Sequence, residues 1–174
     1  MILVTGPSRG GKSRWAEHLM SELTDVVYIA SCMAITGDPQ WNKRIEVHKL
    51  RRPSHWRLVE APQDLSFTIQ QFRTSNILID SLGGFVAQNL KLTETEWAKC
   101  IRILIEIIQL HKTKIIIVIE ETGWGVIPSS SDGILFRDRL GSLAQLLEVS
   151  STHSWLVIQG RAINLKQIGI PVPL

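Results

Sequence analysis

Short apolar, β-branched runs alternate along this chain with amphipathic stretches of helical length. Ile2–Thr5, Val26–Ala30, Trp56–Glu60, Ile77–Asp80, Ile115–Glu120 and Ser154–Ile158 have the length and residue types of strands. Several are apolar throughout, the pattern of parallel strands covered by helices on both faces. Lys12–Glu22, Pro39–Leu50, Pro62–Phe72, Glu94–His111 and Ile134–Val149 read as helices between them. Asp38-Pro39 fits an N-cap followed by a proline in the first helical position, and Ala61-Pro62 opens the next helix in the same way. The alternation predicts an α/β fold, a three-layer domain around a mostly parallel sheet. With no repeat, low-complexity tract or linker, residues 1–174 are expected to form one domain.

Composition narrows the class. The chain has 174 residues, 44% hydrophobic and 20% charged, which suits an ordinary packed domain. Its formal net charge is +3, without a lysine/arginine run long enough for a duplex-binding face, so no nucleic-acid partner is expected. Cys32 and Cys100 show neither metal-ligand spacing nor a disulfide framework. The apolar start runs straight into a glycine-rich loop, and Ile115–Ile119 is far short of the ~20 residues of a membrane span. A cytoplasmic protein with no membrane span is the expectation.

Candidate chemistry begins at Gly6-Pro7-Ser8-Arg9-Gly10-Gly11-Lys12-Ser13, which meets the Walker A pattern at every fixed position. A strand precedes it and an amphipathic helix follows. The glycines let backbone N–H groups turn in around phosphates, Lys12 adds a point charge, and Ser13 offers a hydroxyl to Mg²⁺. The fold class sharpens to a P-loop NTPase-like domain. A Mg²⁺-bound phosphate site also wants a strand-end carboxylate, and Asn76–Asp80 supplies Asp80. The same aspartate could instead cap the segment after Ser81. Asp80-Ser81-Leu82-Gly83 also matches the Asp-x-x-Gly of switch GTPases, but no Asn/Thr-Lys-x-Asp guanine motif follows.

A second constellation lies in the basic stretch from Trp41 to Pro53. Helical spacing puts Trp41, Ile45 and His48 on one face, with Arg44 four residues before His48. A histidine in a basic helix is usually a solvated surface residue. Here Arg44, Lys49, Arg51 and Arg52 would lower the pKa of His48, keep it neutral and hold a phosphate near it. Such an imidazole can attack an α-phosphate and carry a nucleotidyl group.

These segments together resemble the bifunctional adenosylcobinamide kinase/adenosylcobinamide-phosphate guanylyltransferase family. The resemblance starts at Ile2-Leu3-Val4-Thr5-Gly6 and Gly11-Lys12-Ser13-Arg14-x-Ala16-Glu17, and includes Tyr28-Ile29-Ala30. It continues through Arg44-Ile45-x-x-His48-x-x-x-Arg52-Pro53-x-His55-Trp56-Arg57-x-x-Glu60 and Asp80…Asn89-Leu90. It ends with Glu121 to Pro128, Phe136-Arg137-Asp138-x-x-Gly141 and Trp155–Gly160.

The resemblance implies two reactions in cobalamin biosynthesis. ATP or GTP phosphorylates the hydroxyl of adenosylcobinamide. GTP then guanylylates an enzyme histidine, and the GMP passes to adenosylcobinamide phosphate, giving adenosylcobinamide-GDP. It implies catalytic roles for His48 and Lys12. It also implies nucleotide contacts at Gly6, Pro7, Ser8, Arg9, Gly10, Gly11, Lys12, Ser13, Ser31, Lys49, Leu50, Arg51, Arg52, Glu60 and Asp80, and Mg²⁺ at Ser13 and Asp80. A homotrimer is implied as well. Gly10 stands where serine is common in the family, a change the cradle should tolerate.

Several readings stay open on the residues alone. The Glu121–Pro128 loop is either a ligand-facing edge or a plain connection, and Arg137, Asp138 and Arg139 are either ligand groups or a solvated helix face. Trp124 is the tryptophan best suited to stack on a ligand or a neighbouring subunit. A kinase for another small alcohol would use Lys12, Ser13 and Asp80 but leave His48 idle. A nucleotide-dependent switch or binding protein is the third reading.

Overall fold

A computed structural model describes residues 1–31, 51–60 and 62–172; the helix expected over 39–50 lies outside them. The strands are β1 Ile2–Gly6, β2 Val26–Ala30, β3 Arg57–Glu60, β4 Asn76–Asp80, β5 Ile115–Glu120, β6 His153–Ile158 and β7 Arg161–Asn164. The helices are α1 Lys12–Met20, α2 Leu65–Gln71, α3 Leu82–Gln88, α4 Glu94–Leu110, α5 Ser131–Ser150 and α6 Leu165–Ile168. One sheet runs in the order β3-β2-β4-β5-β1-β6-β7. Every neighbouring pair is parallel except β6 and β7. The expected α/β fold with a mostly parallel sheet is therefore present.

Alternation along the strands divides the core between the two faces of the sheet. Leu3, Ile29, Ile77, Ile79, Ile115, Ile117 and Ile119 pack against α2, α3, α4 and α5. Val4, Val26, Tyr28, Leu78, Ile116 and Val118 pack against Ala16 and Met20 of α1 and against Trp56. Each fully buried aliphatic side chain contributes about 1.5–3 kcal/mol of transfer free energy. The continuous apolar run of β5, buried on both faces, is thus the centre of the domain.

One expectation is corrected and two elements are added. The helix expected from Pro62 starts at Leu65, because the Asp64 side chain accepts the Phe67 N–H at 2.9 Å and caps there. The helix α3, unread in the sequence, follows β4 directly although it holds Gly83 and Gly84. The sheet also gains β7 through a hairpin whose turn residues Gln159 and Gly160 have φ of 52° and 76°, both left-handed as in a type I′ turn.

Arg139 settles one open reading. It is 4% exposed, not solvated, and its guanidinium gathers the carbonyls that end α3. Nη1 donates to Asn89 O at 3.0 Å and Leu90 O at 3.2 Å; Nη2 donates to Leu92 O and to Glu94 Oε1, both at 2.7 Å. Its Cζ lies 5.0 Å from the Trp97 ring centre. Arg139→Met would leave those carbonyls without this donor, at a cost of about 3 kcal/mol. The expected result is a melting temperature lower by roughly 6–12 °C in a scanning calorimeter.

Candidate active site

The glycine loop leaves β1 at Gly6 with φ 143°, and Arg9 (φ 60°) and Gly11 (φ 110°) also take left-handed conformations. Gly10 N–H donates to Pro7 O at 3.2 Å, and Lys12 Nζ donates to the same carbonyl at 2.8 Å. Helix α1 starts at Lys12 behind Gly11, which has no side chain to cap it. Its first amides and the positive end of its dipole therefore face the loop, the arrangement that receives a phosphate.

Two neighbours hold the loop in place. Glu121 N–H donates to Gly6 O at 3.0 Å, and Gly160 N–H donates to Gly10 O at 3.0 Å. The Val157 carbonyl of β6 presses so closely on Gly6 and Gly10 that a Cβ at either would collide with it. Glycine at position 10 is matched to that approach.

The carboxyl ends of β2, β4 and β5 are tied to one another. Tyr28, buried on β2, donates its hydroxyl to Asp80 Oδ2 at 2.6 Å. Burial, and then the Asp80 charge, push the phenol pKa far up, so Tyr28 stays a donor. Ser31 is buried, and its hydroxyl donates to Ser81 O. The Ser81 hydroxyl donates to Glu120 Oε1, and Gly83 N–H donates to Glu120 Oε2 at 3.0 Å. A side chain at Gly84 would run into the Ser31 carbonyl, so that glycine lets α3 start against β2. β5 separates β4 from β1, which sets Asp80 two strand spacings, roughly 10 Å, from the P-loop strand.

His48, Lys49 and Leu50 lie outside the described residues, but the two arginines after them do not. Arg51 makes a two-point ion pair with Glu17 of α1, Nε to Oε2 and Nη2 to Oε1, each 3.2 Å. Burial raises the Glu17 pKa, and the Arg51 hydrogen bond opposes that shift. The Arg52 guanidinium carbon sits 4.5 Å from the Tyr28 ring centre, and Arg52 Nη1 is buried without a hydrogen-bond partner. Trp56 stacks on the same tyrosine, ring centres 6.5 Å apart. Tyr28 thus has Asp80 at its hydroxyl and Arg52 on its ring. Glu60 ends β3 at the same edge of the sheet, and His55 is exposed in the turn before β3.

Ser13 and Asp80 are hard oxygen donors of the kind Mg²⁺ takes. Among the described residues no group of three or more His, Cys, Asp or Glu is placed to hold a metal. The donor set therefore fits an ion that brings phosphate and water oxygens with it. Trp124 is 61% exposed on the Glu121–Pro128 loop, and Gly123 N–H donates to Glu121 Oε1 at 2.6 Å. No helix among the described residues is long and apolar enough to cross a membrane.

The structure thus gathers Gly6 to Ser13, Ser31, Arg51, Arg52, Glu60 and Asp80 along one edge of the sheet. Two residues of this edge escaped the sequence reading as site residues. Ser81 and Glu120 read there only as a residue after a strand and a strand end, and their bond depends on β5 lying beside β4. Tyr28 carried only the signal of its Tyr-Ile-Ala motif.

Solved structures share the fold at low identity. An ATPase from a bacterial type III secretion system superposes with a TM-score of 0.54 at 11% identity, over 98% of this chain and 58% of that one. A Pyrococcus horikoshii protein, PH0250, superposes at 0.52 and 9%, over 95% and 85%. Sequence relatives are closer. The bifunctional adenosylcobalamin biosynthesis protein CobU of Escherichia coli is 34% identical, over 95% of this chain and 99% of its own. CobU of Salmonella typhimurium is 32% identical over the same shares, and CobP of Pseudomonas aeruginosa is 31% identical over 99% and 95%. The family model described as cobinamide kinase / cobinamide phosphate guanyltransferase matches residues 2–165. By both measures, this chain belongs to the cobinamide kinase / cobinamide phosphate guanyltransferase family.

Proposed function

We propose that this protein phosphorylates adenosylcobinamide with ATP or GTP and then transfers GMP from GTP to adenosylcobinamide phosphate through a guanylyl-histidine at His48. The observation that carries the reading is the attachment of Arg51 and Arg52 to the phosphate-loop side of the sheet. The cations that follow His48 in the chain are bound to α1, which starts with Lys12 and Ser13, and to Tyr28, which holds Asp80. One nucleotide site then serves both reactions.

In the phosphoryl step, the P-loop amides and Lys12 hold the triphosphate while the acceptor hydroxyl attacks the γ-phosphorus. In the guanylyl step, a His48 ring nitrogen attacks the α-phosphorus and pyrophosphate leaves. A phosphate oxygen of the acceptor then attacks the phosphorus of the P–N bond and frees the histidine. Ser13 and Asp80 would hold Mg²⁺, which neutralises phosphate charge when bound.

The switch reading loses its main support. Gly83, the glycine of the Asp-x-x-Gly segment, gives its N–H to Glu120 inside α3 and so does not offer it to a phosphate.

Incubation with adenosylcobinamide and GTP tests the function. Adenosylcobinamide phosphate is expected first and adenosylcobinamide-GDP second, resolved by chromatography. Phosphorylation of other small alcohols, with no GDP-linked product, would favour the plain kinase.

Tyr28→Phe tests the seating of Asp80. The ring that stacks on Trp56 and Arg52 remains, and one hydrogen bond of about 1 kcal/mol is lost. The Mg²⁺ concentration for half-maximal nucleotide binding is expected to rise about fivefold. A fluorescent-nucleotide titration against Mg²⁺ reads it, and an unchanged midpoint would remove Tyr28 from this role.

A further inference from the structure

A cavity of about 490 Å³ opens at the carboxyl edge of the sheet, between β5, the loop after it and α5. Thr5 and Glu120 form the wall nearest the sheet; Glu121, Arg137, Asp138 and Gly141 form the rest of the side that matters here. The cavity adjoins the phosphate loop. Glu120 is the register partner of Gly6, where the loop begins, and the next residue donates its N–H to Gly6 O at 3.0 Å.

Its charge and size argue against nucleotide. Three lining carboxylates, Glu120, Glu121 and Asp138, face one lining cation, Arg137. Such a wall repels a triphosphate and accepts hydrogen bonds from hydroxyl and amide N–H groups. The volume lies within the roughly 300–1,000 Å³ that encloses small ligands. It suits a hydroxyl-bearing amide arm rather than a whole corrinoid.

We infer that this cavity receives the acceptor's hydroxyl-bearing arm and that Glu120 takes the proton of that hydroxyl during phosphoryl transfer. The inference rests on the function proposed above and adds to it a place and a base for the acceptor. Glu120 is held for the task from one side. Oε1 accepts the Ser81 hydroxyl and Oε2 the Gly83 N–H. An ionised carboxylate has about four acceptor positions, so these two donors fix its orientation and leave room for a substrate hydroxyl.

The step balances on these groups. The acceptor oxygen forms a bond to the γ-phosphorus, and the bond from that phosphorus to the bridging oxygen breaks. The electron pair leaves with the nucleoside diphosphate. The proton moves from the acceptor hydroxyl to Glu120, then to water after product release. Trp124 follows Gly123 of the cavity wall and is exposed, available to the body of the acceptor outside.

Gly141 supplies a clean probe. Gly141 lines the cavity and a Cβ built there meets nothing within 4 Å, so Gly141→Leu adds a side chain at the cavity wall from an open position. Leucine is also the better helix former. Steady-state phosphorylation of adenosylcobinamide is to be compared for wild type, Gly141→Leu and Glu120→Gln, with the melting temperature of each. Gly141→Leu is expected to raise the acceptor KM about tenfold or more with no fall in melting temperature. Glu120→Gln is expected to lower kcat about 10²-fold, the order of general-base contributions. In that variant the acceptor KM stays near wild type, so the loss falls on kcat alone. An acceptor KM for Gly141→Leu within about twofold of wild type would overturn the cavity, and should Glu120→Gln not fold, this variant still decides it. A folded Glu120→Gln that keeps its kcat would overturn the base. A wild type that turns over no adenosylcobinamide overturns the functional reading itself; turnover with an unchanged Gly141→Leu overturns the inference alone.

Discussion

Lys12→Ala is expected to lower phosphoryl transfer and enzyme guanylylation together, each by at least about 10²-fold, the usual loss when one preorganised group that meets transition-state charge is removed. The lysine sits at the first position of α1, its ammonium drawn over the loop to Pro7 O at 2.8 Å. A P-loop lysine acts as a point charge on the β/γ oxygens. Both proposed reactions develop charge on that same triphosphate, at the γ-phosphorus in one and on departing pyrophosphate in the other. Loss of the charge should therefore not discriminate between them. The backbone of the loop has supports besides the lysine, since the Gly160 and Glu121 N–H groups bond to its carbonyls. Circular dichroism should be unchanged while both rates fall in parallel. A variant that loses only one reaction would mean that the two use separate nucleotide sites.

His48→Ala has the complementary expectation. Guanylylation of the protein should vanish, and phosphorylation of adenosylcobinamide should stay within about tenfold, because the kinase step needs no covalent intermediate. With α-labelled GTP, wild type should acquire label that is labile in acid and stable in base, the behaviour of a phosphoramidate. His48→Ala should acquire none. Label persisting in this variant would place the nucleophile elsewhere. The pair of variants separates shared from dedicated machinery: Lys12 acts in both reactions, His48 in one.

The features legible in the sequence are those fixed by nearby residues. The phosphate loop depends on glycines a few positions apart, and Gly6 and Gly11 do adopt the left-handed backbone that such a turn needs. The strand Ile115–Glu120 was readable because burial on both faces demands an unbroken apolar run. Features set by distant partners were not. Gly83 reads in the sequence only as the glycine of an Asp-x-x-Gly segment, but with Gly84 it opens α3, where the two glycines make room for the Glu120 carboxylate and the Ser31 carbonyl. Arg139 looks like a surface residue on an amphipathic helix until α3 ends in front of it. Glu120 is a plain strand end until the strand order puts β5 between Gly6 and Asp80. Along this edge, the backbone of the glycine loop was readable from local motif, whereas the pairing of Ser81 with Glu120 depends on strand order and helix packing.

A single P-loop site that feeds a protein-bound guanylyl group has a signature in a two-stage intact-mass measurement. Wild-type protein is incubated with GTP, freed of nucleotide and then given adenosylcobinamide phosphate. The protein is expected to gain the mass of one GMP, with pyrophosphate released in equal amount. On addition of the acceptor, that mass should disappear as adenosylcobinamide-GDP forms. Formation of adenosylcobinamide-GDP by a protein that never carries GMP, or a bound GMP that the acceptor cannot remove, would contradict it.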